Sequence, residues 1–278
     1  MLLNSNLVFL ALLYGILPSY VQNFYEFKQF LLGSKSLYLK KALKSLKSKY
    51  IATYLESFLY DSTLWILMDH LDFGPLTDLV IETVLDEEQI SYLARECLHA
   101  IEYLHGKRII HRDIKSDNFY LNMNGRVKLV DLGFSVGMTD DLNKRFTLAG
   151  TPCWMAPEVI KKVDYNEKVD IWSFGILLIE MIDGEPPYIE QGVIEIMKSI
   201  LENGQPKLKS DLSLYTDDII DVLNKCLQIE YSKRPNAREL LDHDFFANKV
   251  INDATFSPSN LLKPNIEAVL NMREEIYL

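Results

Sequence analysis

The chain has 278 residues, with 48% hydrophobic and 24% charged side chains. This is the profile of a globular protein that buries a core without disulfide or metal staples, and it excludes intrinsic disorder and collagen-like sequence. Against 39 acidic residues stand 29 basic ones, a formal charge of −10, which argues against a general nucleic-acid binder because phosphate neutralisation needs clustered Lys and Arg.

Charge and glycine are unevenly placed. Residues 1–50 hold seven Lys and one acid, Glu26, for a net +6, so the remainder carries −16. Of the 12 glycines only Gly15 and Gly33 precede Gly74, so no loop in that stretch cradles a phosphate with bare backbone. Cys97, Cys153 and Cys226 are widely spaced and form no CxxC pair. They read as buried thiols of a reducing, cytoplasmic setting rather than as a disulfide framework or zinc site.

In chain order, the apolar run Leu7 to Leu17 is shorter than the roughly 20 residues a membrane span needs. No Lys or Arg precedes Lys28, so the basic start of a signal peptide is missing. A packed leader over residues 1–22 is expected, with a cleaved signal or an anchor as alternatives. Segment 34–49 spaces Leu37, Leu39, Leu43 and Leu46 among lysines, which predicts an amphipathic helix with a cationic face, either solvated or docked on a membrane or partner. Segments 50–60 and 63–71 read as strands around a turn at Asp61 and Ser62, and residues 72–75 as a break. Helices are expected over 76–82 and 87–106, the latter with Ile90, Leu93, Ala94, Cys97, Ile101 and Leu104 on one stripe. Residues 119–122 and 127–130 flank Met123-Asn124-Gly125, a hairpin signal. After a loop over 131–157, helices are expected at 156–161, 169–183, 192–203, 216–227 and 236–242.

The chemistry concentrates in 111–118, HRDIKSDN. A carboxylate such as Asp113 orients a hydroxyl and accepts its proton; Lys115 neutralises a transferring phosphoryl group; Asn118 is an oxygen ligand for Mg²⁺. The hairpin is expected to fold Asp131, in Asp131-Leu132-Gly133, back beside Asn118, so that two oxygen ligands converge on a hard cation.

With Ala156-Pro157-Glu158 following, this set resembles a eukaryotic protein kinase, with DLG where the family usually has DFG. DxKxxN resembles the serine/threonine branch. The phrases PLTD (75–78), RECLHAIEYLH (95–105), KRFTLAGTPCWMAPEV and MIDGEPPY resemble the Ste20 group, nearest the p21-activated kinases, with germinal-centre kinases as runner-up. The resemblance covers about residues 50–247. It implies an α+β, bilobal protein-kinase-like fold, with a truncated β-rich small lobe (23–71), an intact, mostly helical large lobe (72–247) and a tail (248–278).

The resemblance implies ATP and Mg²⁺ as cofactors and Ser/Thr-bearing proteins as substrates. It makes Asp113 the catalytic base, Lys115 the γ-phosphate contact with Thr151 bracing it, and Asn118 and Asp131 the Mg²⁺ ligands. Met68 falls at the gatekeeper position, Asp69 to Leu71 at the adenine hinge, and Leu121 beneath the adenine. Glu158 and Arg234 become an internal ion pair, and Asp170 the holder of the catalytic-loop backbone. Thr147 matches the activation-loop phosphosite, whose phosphate would pair with Arg112. An upstream kinase or small-GTPase pathway is implied as partner, with no nucleic acid and no membrane. No His precedes His70, so the histidine-bearing GTPase-binding segment is not expected here.

The pattern breaks in the small lobe. There is no GxGxxG loop and no VAIK; the nearest match to the ATP-anchoring Lys is Lys28 in EFKQF, and 34–49 offers no acid to pair with it. By analogy with other preorganised donors, each loss predicts a cost of about 3 kcal/mol in transition-state stabilisation. A pseudokinase scaffold or allosteric regulator is therefore the alternative expectation.

Overall fold

A computed structural model of the chain describes residues 25–31, 34–60, 63–137, 147–247 and 256–276. The expected leader over 1–22 and the turn at residues 61–62 lie outside them.

The small lobe is a three-stranded antiparallel sheet. Strand β1 (Tyr25–Leu31) and β2 (Tyr54–Tyr60) flank β3 (Thr63–Asp69), in the order β1-β3-β2. Central β3 buries Leu64, Ile66, Leu67 and Met68, as expected of a β-branched and aliphatic run paired on both edges. Helix α1 (Ser34–Ser45) connects β1 to β2. Leu43 and Leu46 are buried while Lys41, Lys44 and Lys47 face solvent, the amphipathic split its spacing predicts.

A short β4 (Gly74–Pro75) leads into α2 (Leu76–Glu82) and then α3 (Glu87–Gly106). Asp86 starts α3 with a reciprocal cap: its carboxylate accepts from Gln89 N at 2.8 Å and its own N–H donates to Gln89 Oε1 at 3.1 Å. The predicted stripe from Ile90 to Leu104 is buried. Strand β5 (Ile109–Ile110) precedes the 111–118 loop, and β6 (Phe119–Leu121) and β7 (Val127–Leu129) form the expected hairpin. Strand β8 (Val136–Gly137) returns to pair with β5.

The helices α4 (Pro157–Ile160), α5 (Lys168–Asp183), α6 (Val193–Asn203), α7 (Asp217–Cys226) and α8 (Ala237–Leu241) fall within a residue or two of expectation. Every residue from Val169 to Ile182 is buried, so α5 is the axis of the large lobe, apolar nearly all round. At Gly175 a Cβ would lie 2.8 Å from Cys226 Cβ; the missing side chain lets α5 and the end of α7 pack in close contact.

The tail, for which no element was expected, carries α9 (Pro258–Ile276). It docks on α2 and α3 through Leu262, Ile266 and Val269 and through polar clips. Gln89 Nε2 donates to Leu261 O at 3.1 Å and Asn265 Oδ1 at 2.7 Å. Arg273 pairs with Asp78 and donates to Phe73 O at 2.9 Å. Among the described residues no helix is long and apolar enough to cross a membrane.

Candidate active site

The catalytic loop is held from below by one carboxylate. Asp170, in the first turn of α5 and fully buried, accepts from His111 N at 2.8 Å, Arg112 N at 2.7 Å and His105 Nε2 at 2.9 Å. Burial alone would raise its pKa, but these hydrogen bonds and the nearby imidazoles outweigh it and hold the carboxyl below its ordinary value. The two backbone donors fix Arg112 in a left-handed conformation, φ 69°, a costly geometry for a residue with a Cβ unless its surroundings enforce it. The loop is also closed from above, because Gly150 (φ +116°) lies so near that a Cβ there would sit 2.5 Å from Arg112 O.

That frame presents Asp113. Its Oδ1 accepts from Thr151 Oγ1 at 2.6 Å and its Oδ2 from Asn118 Nδ2 at 3.0 Å. Asn118 Nδ2 also donates to Asp113 O at 2.7 Å. The hydroxyl of Thr151, expected to brace Lys115, is thus spent on Asp113. Lys115 instead lies 3.7 Å from Asp117 and 5.7 Å from the Trp154 ring centre.

The hairpin performs the predicted return. Val130 N donates to Asn118 O at 2.9 Å, and Asp131 lies two residues beyond the end of β7. His111 strengthens the link: its Nδ1 accepts from Asp113 N at 3.2 Å and its Nε2 contacts the Asp131 carbonyl. The geometry requires the tautomer with hydrogen on Nε2. Asp131 Oδ1 accepts from Gly133 N at 2.6 Å.

Two groups that sequence reasoning missed support the loop. Ser116 Oγ is 2.6 Å from Thr77 Oγ1 and donates to Glu180, which also accepts from Trp154 Nε1 at 3.1 Å. Burial pushes the Glu180 carboxyl up to about 7, with the Ser116 and Trp154 hydrogen bonds opposing it. The signal was present: an acid inside the apolar run of α5 needs partners. His111 is the other, visible only once Asp131 has folded back.

The remaining predicted residues take stated places. Met68, Leu71 and Leu121 are buried at the lobe junction, and Phe73 N donates to Leu121 O at 3.2 Å. Asp69 accepts from Thr53 N at 2.5 Å and pairs with Lys128. Arg112 donates from Nε to Phe134 O at 2.7 Å and from Nη1 to Tyr165 Oη at 3.2 Å. Tyr165 Oη in turn donates to Thr147 O at 3.0 Å, so Arg112 and the exposed Thr147 are one side chain apart. The β1-β3 register sets Lys28 opposite Ile66, two residues from Met68. Glu158 and Arg234 form a two-pronged ion pair at 2.6 and 2.8 Å, as expected.

The chain that carries this arrangement of Asp113, Asn118 and Asp131 belongs to the protein kinase domain family, which matches residues 39–246. It is 48% identical over 199 residues to serine/threonine-protein kinase PAK 1 of Mus musculus, covering 72% of this chain and 36% of that protein. It is 44% identical over 208 residues to serine/threonine-protein kinase CST20 of Candida albicans, covering 75% and 17% respectively. The chain therefore spans 36% or less of the length of these curated relatives. The family match begins beyond β1 and ends before α9.

Proposed function

We propose that this chain is a Ste20-type serine/threonine protein kinase that transfers the γ-phosphate of ATP to Ser or Thr hydroxyls of proteins. The observation that carries this reading is the hold on Asp113, one carboxylate oxygen taken by Thr151 and the other by Asn118. So held, Asp113 orients a substrate hydroxyl and accepts its proton as the bond to phosphorus forms. Lys115 supplies positive charge to the transferred group. Residues 23–71 act as a partial small lobe and 72–247 as the large lobe, with Met68, Leu71 and Leu121 bounding the adenine.

The donor set fits Mg²⁺. Asn118 uses its amide nitrogen on Asp113, which leaves its amide oxygen as the ligand, and Asp131 adds a carboxylate; both are hard oxygen donors. When bound, Mg²⁺ neutralises charge on the ATP phosphates. Phosphorylation of Thr147 by an upstream kinase belongs to the same reading: Arg112 is already within one tyrosine of that residue, and two added charges would draw it there. All three cysteines are free and buried, which supports a reducing, cytoplasmic setting.

The test is a phosphorylation assay on the full chain with a basic Ser/Thr peptide and Mg-ATP. Asp113→Asn should lower kcat by roughly 10²–10⁴-fold while nucleotide binding persists. No nucleotide binding at millimolar ATP, or equal activity in the variant, refutes it. Thr147→Ala with undiminished activity refutes the regulatory part alone.

A further inference from the structure

A cavity of about 470 Å³ opens between the residues after α1, the middle of α3, strand β7 and the segment entering α9. Its volume is in the range of small-molecule sites. Two aromatic walls bound it. Tyr50 and His99 stack with ring centres 4.6 Å apart, and Tyr92 meets Phe256 at 5.4 Å. Tyr92 Oη donates to Gly125 O at 3.0 Å, which ties the hairpin turn to α3 and fixes the wall.

The charges around it run against those of the whole chain. Lys49, Arg95, Arg126 and Lys128 line it with a single carboxylate, Glu96, in a protein of formal charge −10. Lys128 is taken by Asp69. Among the described residues neither Lys49 nor Arg126 has a carboxylate within ion-pair distance; Lys49 lies over the Tyr50 ring at 4.8 Å. Two half-buried groups sit in the resulting field. His99 is pushed down to about 4, first by burial and then by Arg95, Lys49 and Arg238. Glu96 is raised by burial, which outweighs the pull of Lys49, Arg95 and Arg126.

We propose that this cavity is a binding site for a small polyphosphorylated molecule, its phosphates held by Lys49, Arg95 and Arg126 and its body resting on the Tyr50–His99 stack. A monovalent carboxylate would answer only one of Lys49 and Arg126, whereas a molecule with several phosphate charges can meet the ammonium and the guanidinium fork together. The three cations and the Tyr50–His99 stack lie within residues 39–246, while Phe256 and Pro258, which complete the lining, lie beyond them.

The experiment is isothermal titration of the full chain, without nucleotide, using inorganic pyrophosphate and, separately, inositol hexakisphosphate. At least one should bind saturably, and the preferred probe separates a compact diphosphate from a ring-borne polyphosphate. Arg126→Glu and Lys49→Glu, both at exposed positions, should each raise Kd at least tenfold with unchanged thermal melts. Lys41→Glu with Lys44→Glu, which reverses charge on the open face of α1, should leave Kd within twofold. Saturation should shift the His99 ring resonances and raise its titration midpoint. Failure of both probes to bind, equal binding by the Arg126 and Lys49 variants, or a larger effect from the α1 pair overturns the proposal.

Discussion

Removing the Arg234 guanidinium tests the packing of the large lobe most directly. Arg234 and Glu158 have side-chain exposures of 0% and 4%, and their two forks meet at 2.6 and 2.8 Å. Arg234 also donates to Gln228 O at 2.8 Å and Lys168 O at 3.0 Å, and its guanidinium lies 5.1 Å from the Trp172 ring centre. Arg234→Ala would leave Glu158 charged, buried and unpaired, a loss of about 3–5 kcal/mol. The two abandoned carbonyls add to it, though not in full, because these groups form one network. With a urea slope of about 2–3 kcal/mol per M, the midpoint should fall by roughly 1.5–2 M. Tryptophan fluorescence is a local reporter, since Trp172 stands against the lost group. Adding Glu158→Gln to the variant removes the stranded charge and should recover at least about 1 kcal/mol. A single-variant loss below about 1 kcal/mol, or a double variant no better than the single, would refute the buried-charge argument.

Three further outcomes follow from the geometry. Glu180 has a folded pKa near 7 against 4.5 unfolded, so the folded state holds the extra proton between those values. Stability is therefore greatest below about pH 4.5 and falls as pH rises through 7, by about 3 kcal/mol from this group; Glu180→Gln should flatten that slope in urea titrations, and an unchanged slope rejects the assignment. Gly150→Ala forces a Cβ to within 2.5 Å of Arg112 O at a φ of +116°, so kcat should drop at least tenfold with little change in KM for ATP, and activity within twofold of the parent contradicts the loop placement. Under the proposed kinase reading Lys28→Met should raise the ATP KM severalfold, because β1 sets Lys28 opposite Ile66 on β3, two residues from Met68; unchanged ATP kinetics would show that another group anchors the phosphates.

What was legible in the sequence was what short-range physics writes there. The stripe from Ile90 to Leu104, the Asn124-Gly125 turn and the run HRDIKSDN fixed helix, hairpin and catalytic loop to within a residue or two. Helix α9 was not legible. Pro264 inside it argues against a helix, and the segment is stabilised by contacts to Gln89, Asp78 and Phe73, which lie far away in the chain. A truncated small lobe was expected from the missing glycines, and the β1-β3 register places EFKQF in a strand, with Glu26 opposite Met68. The basic cavity was invisible for the same reason as α9: Lys49, Arg95 and Arg126 come from three separate elements, and no window of sequence contains them together.

The polar residues of α5 explain why a chain with so little small lobe keeps an ordered catalytic loop. Asp170, Ser173 and Glu180 stand at i, i+3 and i+10, which falls on one face of a helix with 3.6 residues per turn. Asp170 takes the backbone of His111 and Arg112, Ser173 Oγ donates to Trp154 O at 2.7 Å, and Glu180 takes Ser116 and Trp154 Nε1. On a fully buried helix each of these groups carries a desolvation cost that an apolar side chain avoids. Among the described residues their partners lie in the 111–118 loop, in the 151–158 segment that holds Asp113 from the other side, at His105 of α3 and, for Ser173, also at Val169 O of α5 itself. The stripe therefore fixes the distance between Asp113 and Thr151 from beneath, through one rigid helix in the large lobe. Among the described residues none of the hydrogen bonds of these three side chains reaches the small-lobe sheet, so under the proposed kinase reading the lack of a glycine-rich loop would bear on how tightly ATP is held and not on the geometry around Asp113.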